Sequence, residues 1–223
     1  MSFWHGVATI VAKDVLTELR SKQMLGAMFV FALMTAVIFN FAFELRVENA
    51  RQIVPGVLWV AFTFAGVLGL NRSFVLEQED GCIEGLMLAP VDRSVIYTGK
   101  LLSNVAFMTV AEALVAPVFV IMFDISILSP VLWVVILLGT IGFAAVGTLF
   151  AAIAVNTRAR DIMLPILLFP AAVPVLIAAT RSTAQILNGL PLSELQTWLR
   201  LLLAFDIIAV VTAFLSFEYV IEE

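Results

Sequence analysis

The residues of this chain best suited to chemistry are acidic, and they fall in one polar interruption between apolar blocks, from Arg72 to Lys100. The middle of that interruption predicts a short helix closed at Pro90, because proline offers no backbone donor and clashes with the preceding turn. On such a helix Glu77, Asp80 and Glu84 stand at i, i+3 and i+7, while Ile83 and Leu86 share another face. Apolar knobs supply buried area and charges supply register, so the pattern suits docking into a cleft on a soluble partner. It suits equally a solvated loop helix packed on a bilayer.

Two further carboxylates lie inside apolar runs, Glu112 and Asp206. A charge in hydrocarbon is costly, so each must face a bundle interior or a wet cavity and find a partner. For Glu112 this suggests a substrate or proton path, with a protonated packing residue as the bland alternative. Asp206 lies nearer the end of its run and reads as packing. Pro165, Pro170 and Pro174 each remove a backbone donor within ten residues, which suggests a hinge, although proline is common in membrane helices. The sole histidine, His5, and the sole cysteine, Cys82, read as solvated residues rather than ligands. No Cys-x-x-Cys pair, His/Cys cluster or Cys-x-x-Cys-His attachment sequence occurs. No Gly-x-x-x-x-Gly-Lys-Ser/Thr phosphate loop occurs either, so the chain cannot hydrolyse ATP alone. Nothing supports nucleic-acid binding, and no nucleophile–base pair recurs on facing spans to suggest an enzyme.

The elements that must position these residues are apolar helices. The sequence is 62% apolar and 13% charged, against about 45–50% and about 25% in soluble proteins. Its apolar blocks have membrane length, and about 20 helical residues cross a hydrocarbon core of about 30 Å. Six spans are predicted: Met24 to Phe43, Ile53 to Asn71, Leu101 to Phe123, Val131 to Val155, Ile162 to Thr180 and Leu201 to Ile221. Residues 1–23 predict a helix lying in the membrane interface, with Phe3, Trp4, Val7, Ile10, Val11, Val15 and Leu19 mostly on one side and His5, Lys13 and Arg20 on the other. Lys and Arg divide eight against four between alternate connections, which favours a cytoplasmic N-terminus and, with six spans, a cytoplasmic C-terminus. Trp59, Trp133 and Trp198 fall near the other ends of their spans and read as an aromatic belt. Gly139, Gly142 and Gly147 with Ala144, Ala151 and Ala152 allow close helix approach in the fourth span. The chain therefore reads as one all-α transmembrane unit over residues 1–223.

The order Pro55-Gly56, Trp59, Arg72-x-Phe74, Glu79-Asp80-Gly81, Glu84-x-Leu86, Pro90 and Gly99-Lys100 resembles the CcmB family, the haem exporter B permeases of cytochrome c maturation. Gly139-Thr-x-Gly142, Leu164-Pro165, Pro170 and Pro174 extend the resemblance to about Ala179; the last forty residues match only in being another span. More broadly, Glu79 to Pro90 is similar to the coupling helix of type-2 ABC exporter permeases. The resemblance implies a permease half of an ABC complex in the bacterial inner membrane. Residues 72–100 would form its cytoplasmic coupling loop, with Glu77, Asp80, Gly81, Glu84, Leu86 and Pro90 contacting a separate, CcmA-like ATPase. It also implies CcmC-like and CcmD-like membrane subunits, a periplasmic CcmE-like chaperone, and haem as a handled ligand that is not covalently held. Either this subunit passes haem or it transmits ATPase motion that releases the loaded chaperone. From location alone, Arg46, Arg51 and Arg181 are available to haem propionates. A type-2 permease with another cargo, such as a lipid-linked glycan or drug, and a non-transport membrane scaffold are the rival readings.

Overall fold

A computed structural model describes residues 2–43, 47–79, 92–126, 129–155, 157 and 159–220. The described residues form seven helices: α1 (Phe3–Ser21), α2 (Gln23–Phe43), α3 (Val47–Glu79), α4 (Arg93–Phe123), α5 (Pro130–Val155), α6 (Arg160–Leu187) and α7 (Leu192–Val220). Among them six are long and apolar enough to cross a membrane, all but α1. The all-helical, six-span expectation therefore holds. In hydrocarbon every backbone donor and acceptor must be satisfied within the segment, which a helix achieves and an open strand does not.

The spans are arranged around α3 and α5, whose apolar windows are the most buried, while α2 and α7 lie at the periphery. The outward surface is apolar: Ile38, Phe41, Ile121, Ile207, Ile208 and Leu215 are all exposed. A soluble protein would pay heavily for such a surface, whereas lipid accepts it and leaves close packing to hold the helices together. That packing uses the small residues of α5, since Gly139, Gly142, Ala144, Gly147, Ala151 and Ala152 are all buried. They close on neighbours within this chain. A methyl group added at Gly139 would overlap the Trp59 ring, and one at Gly147 would overlap Leu70.

Three expectations require correction. Trp59 belongs to the core and not to an aromatic belt: it is 4% exposed, and its indole Nε1 donates to Thr183 Oγ1 at 3.0 Å. The belt reading used only depth along the span, but the Gly139 groove draws the ring inward; Trp133 and Trp198 remain half-buried. Second, the helices outrun the apolar blocks. α4 begins at Arg93 and not near Leu101, which places Lys100 two turns inside a helix. α7 begins at Leu192, with an apolar window from Ser193 to Phe217, which places Asp206 near mid-span rather than near an end. Third, the inward stripe of α1 is Gly6, Val7, Ile10 and Glu18, whereas Trp4 and Leu19 point outward.

Replacement of Gly139 by Ala is expected to lower stability by about 1–3 kcal/mol through overpacking against Trp59. Gly56→Ala, where a methyl group meets nothing, is expected to be neutral or to stabilise by about 0.5–1 kcal/mol. Thermal unfolding of the purified protein in one detergent distinguishes the two.

Candidate functional site

In the chain the acidic segment falls between the last turn of α3 and the start of α4. Glu77 lies in the last turn of α3, and its side chain is not among the described ones. Asp80, Gly81, Glu84, Leu86 and Pro90 lie outside the described residues. What the structure does describe is the frame on which this segment is mounted.

That frame converges on Lys100. Its side chain is 2% exposed, and its Nζ lies 3.1 Å from Asp14 Oδ2 on α1. The same ammonium donates to Asp14 Oδ1 at 3.2 Å and to the Ser73 carbonyl of α3 at 3.1 Å. A buried ammonium without such partners would be strongly unfavourable, because desolvation costs several kcal/mol, on the order that a well-made pair recovers. One cation thus joins α1, α3 and α4. The contact is tight beside it as well, since a methyl group at Gly99 would press on Ile10 of α1, 2.8 Å from its Cβ. Arg72 Nη1 donates to Gln23 Oε1 at 3.0 Å, tying α3 to the start of α2. Tyr97 donates its hydroxyl to the Ala145 carbonyl of α5 at 3.1 Å.

The elbow between α1 and α2 is held by a second buried acid. Lys22 turns the chain in the left-handed region, φ 53°. Glu18 then accepts the backbone N–H of Leu25 at 2.8 Å and of Met24 at 3.4 Å. These are donors that the first turn of α2 cannot satisfy within the helix, and a carboxylate there also complements the helix dipole.

Deeper in the bundle, Glu112 of α4 is buried and its Oε1 accepts the Thr140 hydroxyl of α5 at 2.7 Å. The partner expected of an intramembrane acid is present. Glu112 also borders a small cavity with Met28, Phe62 and Met108, with room for about one water molecule. Further along the same interface Asn104 donates to Thr148 Oγ1 at 3.0 Å. Asp206 of α7 is 6% exposed. It faces Gly142, where a methyl group would overlap its Oδ1, and it has no hydrogen-bond partner among the described residues. The two carboxylates are therefore placed on either side of α5, against Thr140 and Gly142, and are not brought together.

The three prolines sit in an uninterrupted α6. Its buried stripe is Leu164, Leu168, Ala172, Val175, Ala178 and Ala179, while Pro165 is half-buried and Pro170 and Pro174 are exposed. Arg181 is exposed on the same helix, and His5 is exposed on α1. The side chains of Arg46 and Arg51 are outside the described ones. No cluster of three metal-ligating side chains occurs among the described residues.

Asp14, Glu18, Ser73 and Thr140 carry contacts that sequence reasoning did not single out. The available signal for Asp14 and Lys100 was weak: a lone lysine after Gly99 and a mixed-charge first helix.

Six lipid-compatible helices with polar contacts concentrated at the end that carries the acidic segment define a multi-pass helical membrane protein. Residues 5–222 match the family model described as CcmB protein, and the chain belongs to that family. It is similar to heme exporter protein B of Pseudomonas aeruginosa, 29% identical over 87% of this chain and 88% of the relative. Proteins of the same name from Rhodobacter capsulatus, 30% identical, and Paracoccus denitrificans, 29% identical, each align over 75% of this chain and 78% of the relative.

Thr140→Val leaves Glu112 buried without its donor and is expected to cost about 1–3 kcal/mol. Glu112→Gln keeps an acceptor for the Thr140 hydroxyl and is expected to stay close to the parent protein. Unfolding midpoints of the two purified variants test the difference.

Proposed function

We propose that this chain is the membrane permease subunit of an ABC complex for haem export in cytochrome c maturation, and that a separate subunit hydrolyses ATP. The observation that carries the reading is the family match from residue 5 to residue 222, which includes the acidic segment. The relatives' shared name, heme exporter protein B, supplies the cargo. The sequence holds no phosphate loop of its own.

On this reading the whole chain is one transmembrane unit in the bacterial inner membrane, with both termini cytoplasmic. Within residues 72–100, the ends of α3 and α4 and the connection between them face the cytoplasm. Glu77, Asp80 and Glu84 give register to a cleft on a CcmA-like ATPase, and Leu86 gives buried area. Motion of the ATPase pushes on the ends of α3 and α4, whose positions relative to α1 are fixed through Lys100. It then passes along α4 to the Glu112–Thr140 contact with α5, and through α5 to the proline-bearing α6. CcmC-like and CcmD-like membrane subunits and a periplasmic CcmE-like chaperone complete the assembly, with haem as handled ligand.

Affinity purification of this chain from its native membrane in mild detergent, with identification of co-purifying proteins and a haem absorbance spectrum, tests the proposal. A phosphate-loop ATPase together with cytochrome c maturation partners is the expected result. An ATPase without them indicates another cargo, and no ATPase at all overturns the transporter reading. Glu84→Lys is expected to reduce recovered ATPase about tenfold or more, as reversal of a docked charge does.

A further inference from the structure

The first helix is charge-mixed in sequence, with Lys13, Arg20 and Lys22 beside Asp14 and Glu18. The fold separates the signs. Asp14 turns inward to Lys100, and Glu18, 4% exposed, turns inward to the N–H groups of Met24 and Leu25. Both acids of α1 are thus engaged inside the structure. Arg20 and Lys22 stay outside, and Lys13 keeps a side chain 40% exposed while also lying 3.3 Å from Asp14.

The outward surface of α1 is also divided along its length. At 100° per residue, Trp4, Ala8 and Leu19 share one flank, and His5, Thr9, Lys13 and Arg20 share the other, with Leu16 among them. Trp4 is 71% exposed, Leu16 56% and Leu19 61%, apolar side chains available to acyl chains. His5, Lys13 and Arg20 line a shallow groove along this face together with Ala8, Ala12 and the exposed Leu16. The groove runs about 22 Å from His5 to Arg20 at 1.5 Å per residue. Within it the hydroxyls of Thr9 and Thr17 donate to the His5 and Lys13 carbonyls, and Lys13 and Arg20 supply the positive charge, Lys13 while paired with Asp14.

We propose that this groove binds the headgroups of anionic phospholipids, with Lys13 and Arg20 on the phosphates and Trp4 and Leu19 among the acyl chains. The outward charge is of one sign, and the adjacent flank is apolar, which is the combination an anionic membrane surface attracts and holds. A zwitterionic headgroup offers no net charge to it. The proposal rests on the membrane placement of the bundle and is independent of the cargo.

The test uses the full chain and its Lys13→Gln/Arg20→Gln variant, purified in detergent and offered phosphatidylglycerol and phosphatidylcholine in equal amounts, with retained lipid counted by native mass spectrometry. Arg20 is exposed and Lys13 partly so, and an unchanged unfolding midpoint establishes that the variant is folded. The parent protein is expected to retain phosphatidylglycerol preferentially. The variant is expected to bind it about 30-fold more weakly, at about fivefold per basic residue near an anionic surface. Arg200→Gln, toward the opposite end of the bundle, is expected to change nothing. Equal retention of the two lipids by the parent protein, or unchanged phosphatidylglycerol binding by the variant, overturns the proposal. Loss of a co-purifying soluble protein at unchanged lipid binding also overturns it and makes the groove a protein-docking face.

Discussion

An ammonium group cannot be taken out of water without recompense, and the organisation of one end of this protein follows from where Lys100 finds its partners. At 2% exposure its charge is met by the Asp14 carboxylate and the Ser73 carbonyl, 3.1–3.2 Å away. The two partners lie on α1 and α3 and the lysine on α4, so the full set of contacts forms only when all three helices are docked. Such an arrangement contributes little net stability beside a well-packed apolar one, but it is strongly unfavourable when half of it is removed. It therefore specifies an arrangement of helices more than it strengthens one.

The consequences run in both directions from that point. Toward the surface, Asp14 is withdrawn from the face of α1, and together with the inward turn of Glu18 this leaves the outer face basic. Into the bundle, α4 continues from Lys100 through Asn104 and Glu112, each joined to a threonine of α5. The glycines of α5 let Trp59 and Leu70 of α3 lie against its backbone. The two helices that bear the acidic segment are thus both seated on the same central helix. A displacement applied at their ends has a packed, hydrogen-bonded route inward, as the proposed coupling to a separate ATPase requires.

Much of this was legible in the sequence, and the exceptions have physical reasons. Uninterrupted apolar blocks reveal six spans because lipid permits little else. Their ends were misplaced at Lys100 and Asp206, because polar residues continue a helix beyond the hydrocarbon and leave no mark in a hydropathy pattern. Glu112 was rightly expected to have a partner, although Thr140 could not be named, since the pairing depends on how α4 and α5 face each other; Asp206, expected to find one too, has none among the described residues. Trp59 was assigned to the wrong environment for the same reason: depth follows from the sequence and azimuth does not. The inward turn of Asp14 and Glu18 was invisible because acidic residues on an interfacial helix ordinarily face water. The acidic segment from Asp80 to Pro90 was the clearest chemical signal in the chain, and the docking role proposed for it rests on residue pattern.

The measurement that most directly tests the central claim is a double-mutant cycle on Asp14 and Lys100, read as unfolding free energy of the purified protein. If the pair is the buried tie described here, Asp14→Asn and Lys100→Met each cost about 3–5 kcal/mol, and the double variant recovers most of that loss, because no uncompensated charge remains. Single variants that each change stability by less than about 0.5 kcal/mol and add independently would mark an ordinary solvated ion pair, and would contradict the account.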